Sequence, residues 1–295
     1  MNSCSFGVIR ALPSQLGISC FLNASTKSLA ASQIFHVLSS QHQETHYGQL
    51  LFKQIYSTHS QALMQMANAL SLPAKSLRCE RPPIKLPSPL NNSMGRMLLK
   101  GLGFYSHKSR LLHGGQDLYK AIKEQCDDGV LIKAFDLDPE VFFSTFTLLS
   151  LHVWLVVHRL GHRNDADIKD FRQRFYALFQ HDVEKRVHHA GVQVGVGKWL
   201  RKLESVFYSS GIALDKVLSG ESKETFTDVI LQHYMGGDSS KRGQAAVVAR
   251  YVQRELHCMQ LTEDESILMG HIQFSREPFE PFRAAMTAAA EVKSG

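Results

Sequence analysis

The sequence predicts an all-α protein: a single multi-helix domain preceded by a transit peptide and a Pro-rich linker. Three observations point there. Between Pro139 and Pro278 no proline, the strongest helix breaker, interrupts 138 consecutive residues. Glycines punctuate this stretch instead, at Gly161, Gly191–Gly197, Gly211, Gly220, Gly236–Gly237 and Gly270, and the intervals are rich in Leu, Val and Phe. No hairpin turn signal and no internal repeat occurs.

Residues 1–45 are Ser-rich and hold a single acid, Glu44, among scattered basic residues. That composition marks an organellar transit peptide, because import selects positive charge on a transient amphipathic helix. The apolar stretch Cys4–Phe21 carries Arg10 inside it, whereas a secretory signal places its charge in front. Mitochondrial targeting is the expectation, with plastid targeting or a plain acid-poor tail as alternatives.

Residues 46–93 read as a helical segment and a linker. Leu50, Leu51, Ile55, Leu63, Met66, Ala67 and Leu70 recur at helical spacing over Gln49–Leu72, and Pro73 ends the run. Pro82, Pro83, Pro87 and Pro89 then fix an extended connection. The domain is expected over 94–278, with a C-terminal tail over 279–295. Within it helices are predicted near 116–126, 139–160, 166–188, 197–218, 222–235, 241–260 and 263–269, and a short extended piece at His271–Phe274. Asp138-Pro139-Glu140 has the form of a helix start, with a capping Asp and proline at the first helical position. Thr262-Glu263-Asp264-Glu265 has capping-box spacing.

The formal charge of +6 divides unevenly. Met1–Arg110 holds eleven Lys/Arg against Glu44 and Glu80, giving +9, and the remainder carries −3. A nucleic-acid binder more often places its basic residues on the folded body. The five cysteines are far apart, odd in number and without a C-x-x-C pair, as expected of thiols in a reducing compartment. Phe146–Val157 is the most apolar run. Thr147, Ser150 and His152 break it and Arg159 ends it, so it reads as a buried core helix rather than a membrane span.

Catalytic and metal patterns fail one by one. His158 and His162 have the i, i+4 spacing that lets two imidazoles share an ion, but His152 lies about 120° round the helix from His158 and does not complete a site. Gly191-Val-Gln-Val-Gly195-Val-Gly197-Lys198-Trp199 departs from a phosphate-binding loop in spacing, and Trp199 stands where a metal-binding hydroxyl is needed. It reads as an exposed interhelix loop. No nucleophile elbow is present, and nothing marks Cys126 or Cys258 as a nucleophile. The residues imply no enzyme and no cofactor. Two rivals keep a stated form: an RNA- or ribosome-binding helical adaptor, and a metal-dependent enzyme using His158 and His162.

Three stretches carry a resemblance. The first runs from Gly103-Phe-Tyr-Ser-His-Lys-Ser to Asp117-Leu-Tyr-Lys-Ala-Ile. The second is Leu148-Leu-Ser-Leu-His152-Val-Trp154-Leu with Phe179-Gln-His-Asp182-Val-Glu-Lys-Arg186. The third is Phe207-Tyr208 to Asp215, with Tyr251-Val to Gly270. Together, over about Met97–Pro278, they resemble the ubiquinol–cytochrome c chaperone family of mitochondrial complex III assembly factors. His181 and Leu214 depart from the family's usual acid and Tyr at those places, and Gly191–Gly197 is unusual for it.

The resemblance implies a non-enzymatic chaperone. It would bind newly made cytochrome b near the mitochondrial ribosome exit, together with a small partner assembly factor, at the matrix face of the inner membrane, and would take no DNA. It implies structural roles for His152, Trp154, Asp182, Phe207, Tyr208, Asp215, Tyr251 and Gly270, with Trp154 in the core and Asp182 pairing with a basic side chain or capping a backbone end. Arg96, Lys100, Lys108 and Arg110, interleaved with Met97, Leu98, Leu99 and Phe104, form a basic amphipathic edge suited to an anionic membrane or ribosomal RNA, with a solvated entry to the domain as the alternative.

Overall fold

A computed structural model describes residues 61–80, 92–104 and 106–294 of the chain. The transit segment 1–45, the first part of the helix expected at Gln49–Leu72, and most of the Pro-rich linker lie outside the described residues.

The architecture follows from one helix that is apolar almost all round. In α5 (Phe142–Gly161) thirteen of twenty residues are buried, so neighbours must cover it on every side. By length and composition it could cross a membrane, yet 67% of its most apolar stretch is buried inside the bundle, as for a core helix.

The covering helices are α3 (His107–Asp127), α6 (Ala166–His189), α7 (Val196–Ser219), α8 (Phe226–Tyr234) and α9 (Arg242–Gln260). Their sequences show why. In α6 the buried positions are Ile168, Phe171, Phe175, Phe179, Val183 and Val187, a single stripe at spacings of three and four. In α7 the stripe is Leu203, Phe207, Ser210, Gly211 and Leu214. Helix α9 buries residues on two sides, because it packs on both α5 and α8.

Smaller elements close the fold: α1 (residues 61–70), α2 (Ser93–Gly101), α4 (Val130–Ala134), α10 (Asp264–Leu268) and α11 (Glu280–Ser294). Short 3-10 turns cover Ser239–Lys241 and Glu277–Phe279. Among the described residues there is no strand, only an isolated antiparallel bridge between Arg78 and Ile272. It places the extended stretch predicted at His271–Phe274 against residues 77–79: Cys79 donates to the His271 carbonyl and Gln273 to that of Leu77. Met66, Leu70 and Leu77 are buried in the same core as α5, and so are Phe279 and Phe282 beside α11.

Three local predictions are corrected. Helix α5 begins at Phe142, with Val141 at its N-cap position and no side-chain cap, not at Asp138-Pro139. Asp138 instead accepts from the Glu140 amide at 2.9 Å in a local turn. Thr262 does not cap α10. Its hydroxyl donates to the Cys258 carbonyl and accepts from Leu77, which anchors the 71–79 segment. The capping box that does form is Thr225 with Asp228, at the start of α8. Helix α3 starts at His107, nine residues before the predicted 116, and runs straight through Gly114-Gly115.

Glycine is needed at that pair's first position because two backbones meet there. A Cβ on Gly114 would collide with the Leu268 carbonyl oxygen, and one on Gly270 would sit 2.6 Å from the Gly114 oxygen. Gly270 also has φ +69°, the left-handed region that side chains resist. The two glycines let the α10 turn press onto the backbone of α3.

Candidate functional site

The motif residues fall into separate clusters, two of them on α5. His152 is fully buried between α3 and α9. Its Nδ1 lies 2.7 Å from the Leu148 carbonyl, an acceptor, so that nitrogen carries the proton. Nε2 then accepts from the Tyr251 hydroxyl at 2.8 Å. Cys126 Sγ stands 3.5 Å from Nδ1, and the Phe274 ring packs edge-on to the imidazole. Burial lowers the His152 pKa to about 4, and the Leu148 bond offsets this only in part. A neutral imidazole thus ties α5 to α9.

Two residues on, Trp154 faces α7. Its indole N–H donates to Asp215 Oδ1 at 3.1 Å, and His158 Nδ1 reaches the same oxygen at 2.8 Å. Gly211 leaves space for the indole; a Cβ there would lie 3.2 Å from Trp154 Cδ1. The structure therefore brings Trp154 and Asp215 together, 61 residues apart in sequence. His158 and His162 pack ring against ring, but no group of three metal-ligating side chains occurs among the described residues.

Asp182 centres a third cluster, between α6 and α3. Arg186 Nε donates to it at 2.7 Å, Tyr119 hydroxyl at 3.0 Å, and Lys123 lies 3.2 Å away. Arg186 also reaches Asp127 at 2.8 Å. Burial pushes the Asp182 carboxyl up, but Arg186, Lys123 and Tyr119 outweigh it and hold the group below the usual range. Burial first, then Asp182, drives the Tyr119 phenol far above its ordinary value, so it stays a donor.

Phe207 is buried against Phe179 and Tyr176, whereas Tyr208 is 49% exposed and lies 5.7 Å from the Tyr176 ring. The eight motif residues thus do not converge on one pocket. They join helix pairs.

The basic residues sit apart from these clusters in sequence, ahead of them on α2 and the start of α3. Lys100 is exposed on α2, and Lys108 and Arg110 are exposed in the first turn of α3. Arg110 pairs with Glu265 at 3.6 Å. The Arg96 side chain lies outside the described residues. Beside them Met94, Met97, Leu98 and Leu102 are all exposed, by 59–79%.

Glu255 was missed by sequence reasoning. It is fully buried on α9, where Oε2 accepts from the Ser275 amide at 3.2 Å and Oε1 has no partner. Burial raises its carboxyl to about 7, opposed in part by Ser275 and Arg254. Arg254 beside it donates to the carbonyls of Leu72 and Pro73 and clips the 71–79 segment to α9. No spacing signal marks a buried acid on a helix that has two buried sides.

Residues 137–274 match the family model described as ubiquinol-cytochrome C chaperone. That range holds all eight motif residues, while the amphipathic edge on α2 precedes it. A solved structure, the Cbp3 homolog from Brucella abortus, superposes with a TM-score of 0.51 at 20% identity, covering 61% of this chain and 98% of its own. At that identity the likeness shows the fold. No curated protein matches the chain.

Proposed function

We propose that this chain, whose residues 137–274 match the ubiquinol-cytochrome C chaperone family model, is a member of that family and a non-catalytic assembly factor of mitochondrial respiratory complex III. It binds and stabilises newly synthesised cytochrome b at the matrix side of the inner membrane, near the mitochondrial ribosome exit, with a small partner assembly factor. The family match carries this reading.

Two features support it. The motif residues are spent on holding helices together: His152 with Tyr251, Trp154 with Asp215, and Asp182 with Arg186. A holding protein needs such a scaffold and no reacting group. The second is α2. Its exposed Met94, Met97, Leu98 and Leu102 beside Lys100, with Lys108 and Arg110 following, suit the interface of an anionic membrane, where apolar side chains enter and basic ones stay at the headgroups. The residues implied by the family match are proposed as structural, and the basic ones as the membrane or ribosome contact.

The test is removal of the protein from mitochondria. Assembled complex III on a native gel and the steady level of cytochrome b should both fall. Undiminished complex III would overturn the reading.

A further inference from the structure

A groove runs between α6 and α7, away from the amphipathic edge. Phe146, Tyr176, Phe179 and Leu203 form its apolar floor and wall, and Leu200 lies on its side. Its volume is about 290 Å³, just below the ~300–1,000 Å³ range of small-molecule pockets. That suits a few inserted side chains better than an enclosed ligand.

The groove does not end at its walls. Leu200, Glu204, Tyr208 and Ile212 follow one another at i, i+4 along α7 and so share a face. Tyr208 and Ile212 are 49% and 53% exposed, and the Tyr208 ring touches Tyr176 in the groove. An apolar track therefore extends from the groove along about two turns of α7.

Charge selects among occupants. Glu184 and Glu204 line the groove, and none of its described lining residues is Lys or Arg. Glu204 accepts from Gln180 at 3.2 Å and from the Tyr176 hydroxyl at 3.4 Å, which holds its carboxylate over the groove. His181, also on the lining, stands 3.9 Å from Glu184, and Lys202 of α7 lies over the Trp199 ring.

We propose that the α6–α7 groove is a docking site for an apolar helix of a client protein that carries Lys or Arg beside its apolar face. Leu- or Phe-sized side chains at i and i+4 fill the groove and continue along Tyr208 and Ile212, and the basic residue meets Glu184 and Glu204. Membrane-spanning segments have this chemistry, since Lys and Arg gather at their ends. The proposal rests on the chaperone reading above and deepens it by naming the surface that holds the client.

The test uses the purified full chain and two synthetic helical peptides of roughly 20 residues. They share one Leu/Ala core, and one is flanked by two Lys, the other by two Glu. Fluorescence anisotropy should show the Lys-flanked peptide binding about tenfold tighter at low salt. Glu184→Lys should narrow or reverse that preference, and Ile212→Ala should weaken both peptides, with melting curves close to wild type because both side chains are about half exposed. Equal binding of the two peptides, no binding of either, or variants indistinguishable from wild type would overturn the groove.

A parallel pull-down of newly made cytochrome b from mitochondria separates the two claims. If peptide discrimination fails while cytochrome b is still captured, the groove falls and the chaperone reading stands. Discrimination without capture has the opposite meaning.

Discussion

Replacing Glu255 by Gln should remove a pH dependence from the core of the protein. The wild-type carboxyl is buried, bonded on one oxygen to the Ser275 amide and unpartnered on the other. Its pKa stands at about 7 against an ordinary 4.5. A raised pKa means the folded state keeps a proton that the unfolded chain has released between those two values. The resulting stabilisation is complete below pH 4.5 and is lost as the pH rises through 7. Over that interval, at about 1.4 kcal/mol per pH unit, the loss is ~3 kcal/mol.

Glutamine keeps the acceptor for Ser275 and brings an amide donor towards the unpartnered Ser275 hydroxyl. Variant and wild type should therefore be similar at pH 4.5, and the variant should be more stable by ~3 kcal/mol above pH 7. His152 acts in the other direction. Its pKa is lowered to about 4, so its contribution is lost as the pH falls from 6.5 through 4. In the wild type these two slopes offset between about pH 4.5 and 6.5; in the variant the His152 slope, and that of His233, which burial also lowers, run without the Glu255 offset. Urea unfolding followed by circular dichroism from pH 4.5 to 8 measures both curves. Two parallel curves would refute the reasoning.

Three substitutions probe the helix junctions. Gly114→Ala forces a Cβ into the Leu268 carbonyl and should cost at least about 1–3 kcal/mol. Gly243→Ala, at an open site in the first turn of α9, should be neutral or stabilising by less than ~1 kcal/mol. Similar melting shifts for the two would sink the backbone-contact account. Asp215→Ala leaves the buried Trp154 N–H without its acceptor and should cost about 1–3 kcal/mol by thermal melting, whereas Asp215→Asn, which retains a carbonyl oxygen, should cost less; equal losses would count against the Trp154–Asp215 bond.

Much of the helical body was legible because its signals are long-range and periodic. The stripe from Ile168 to Val187 and the long proline-free stretch locate α6, α7 and α9 to within about two residues at each end. What failed were single-residue signals. Gly114-Gly115 resembles a breaker, but tertiary contact with Leu268 overrides local propensity. Asp138 and Thr262 have the right chemistry to cap, and each finds a different partner once the fold is made.

The tail expected over 279–295 is instead helical over Glu280–Ser294. Pro278 and Pro281 each stand at a helix start, where proline is tolerated, and Phe279 and Phe282 bury beside them. The motif residues were individually visible, but their pairing was not. Nothing in spacing tells that Trp154 meets Asp215 or that His152 meets Tyr251. Those partners come from helix packing, which a single chain pattern does not encode.

The central claim is that the chain holds newly made cytochrome b. Pulse-labelling of mitochondrial translation products followed by affinity purification of the tagged full chain measures this directly. Labelled cytochrome b should co-purify early and leave as complex III assembles. Its absence from the purified material, while complex III forms normally without the protein, would contradict the account.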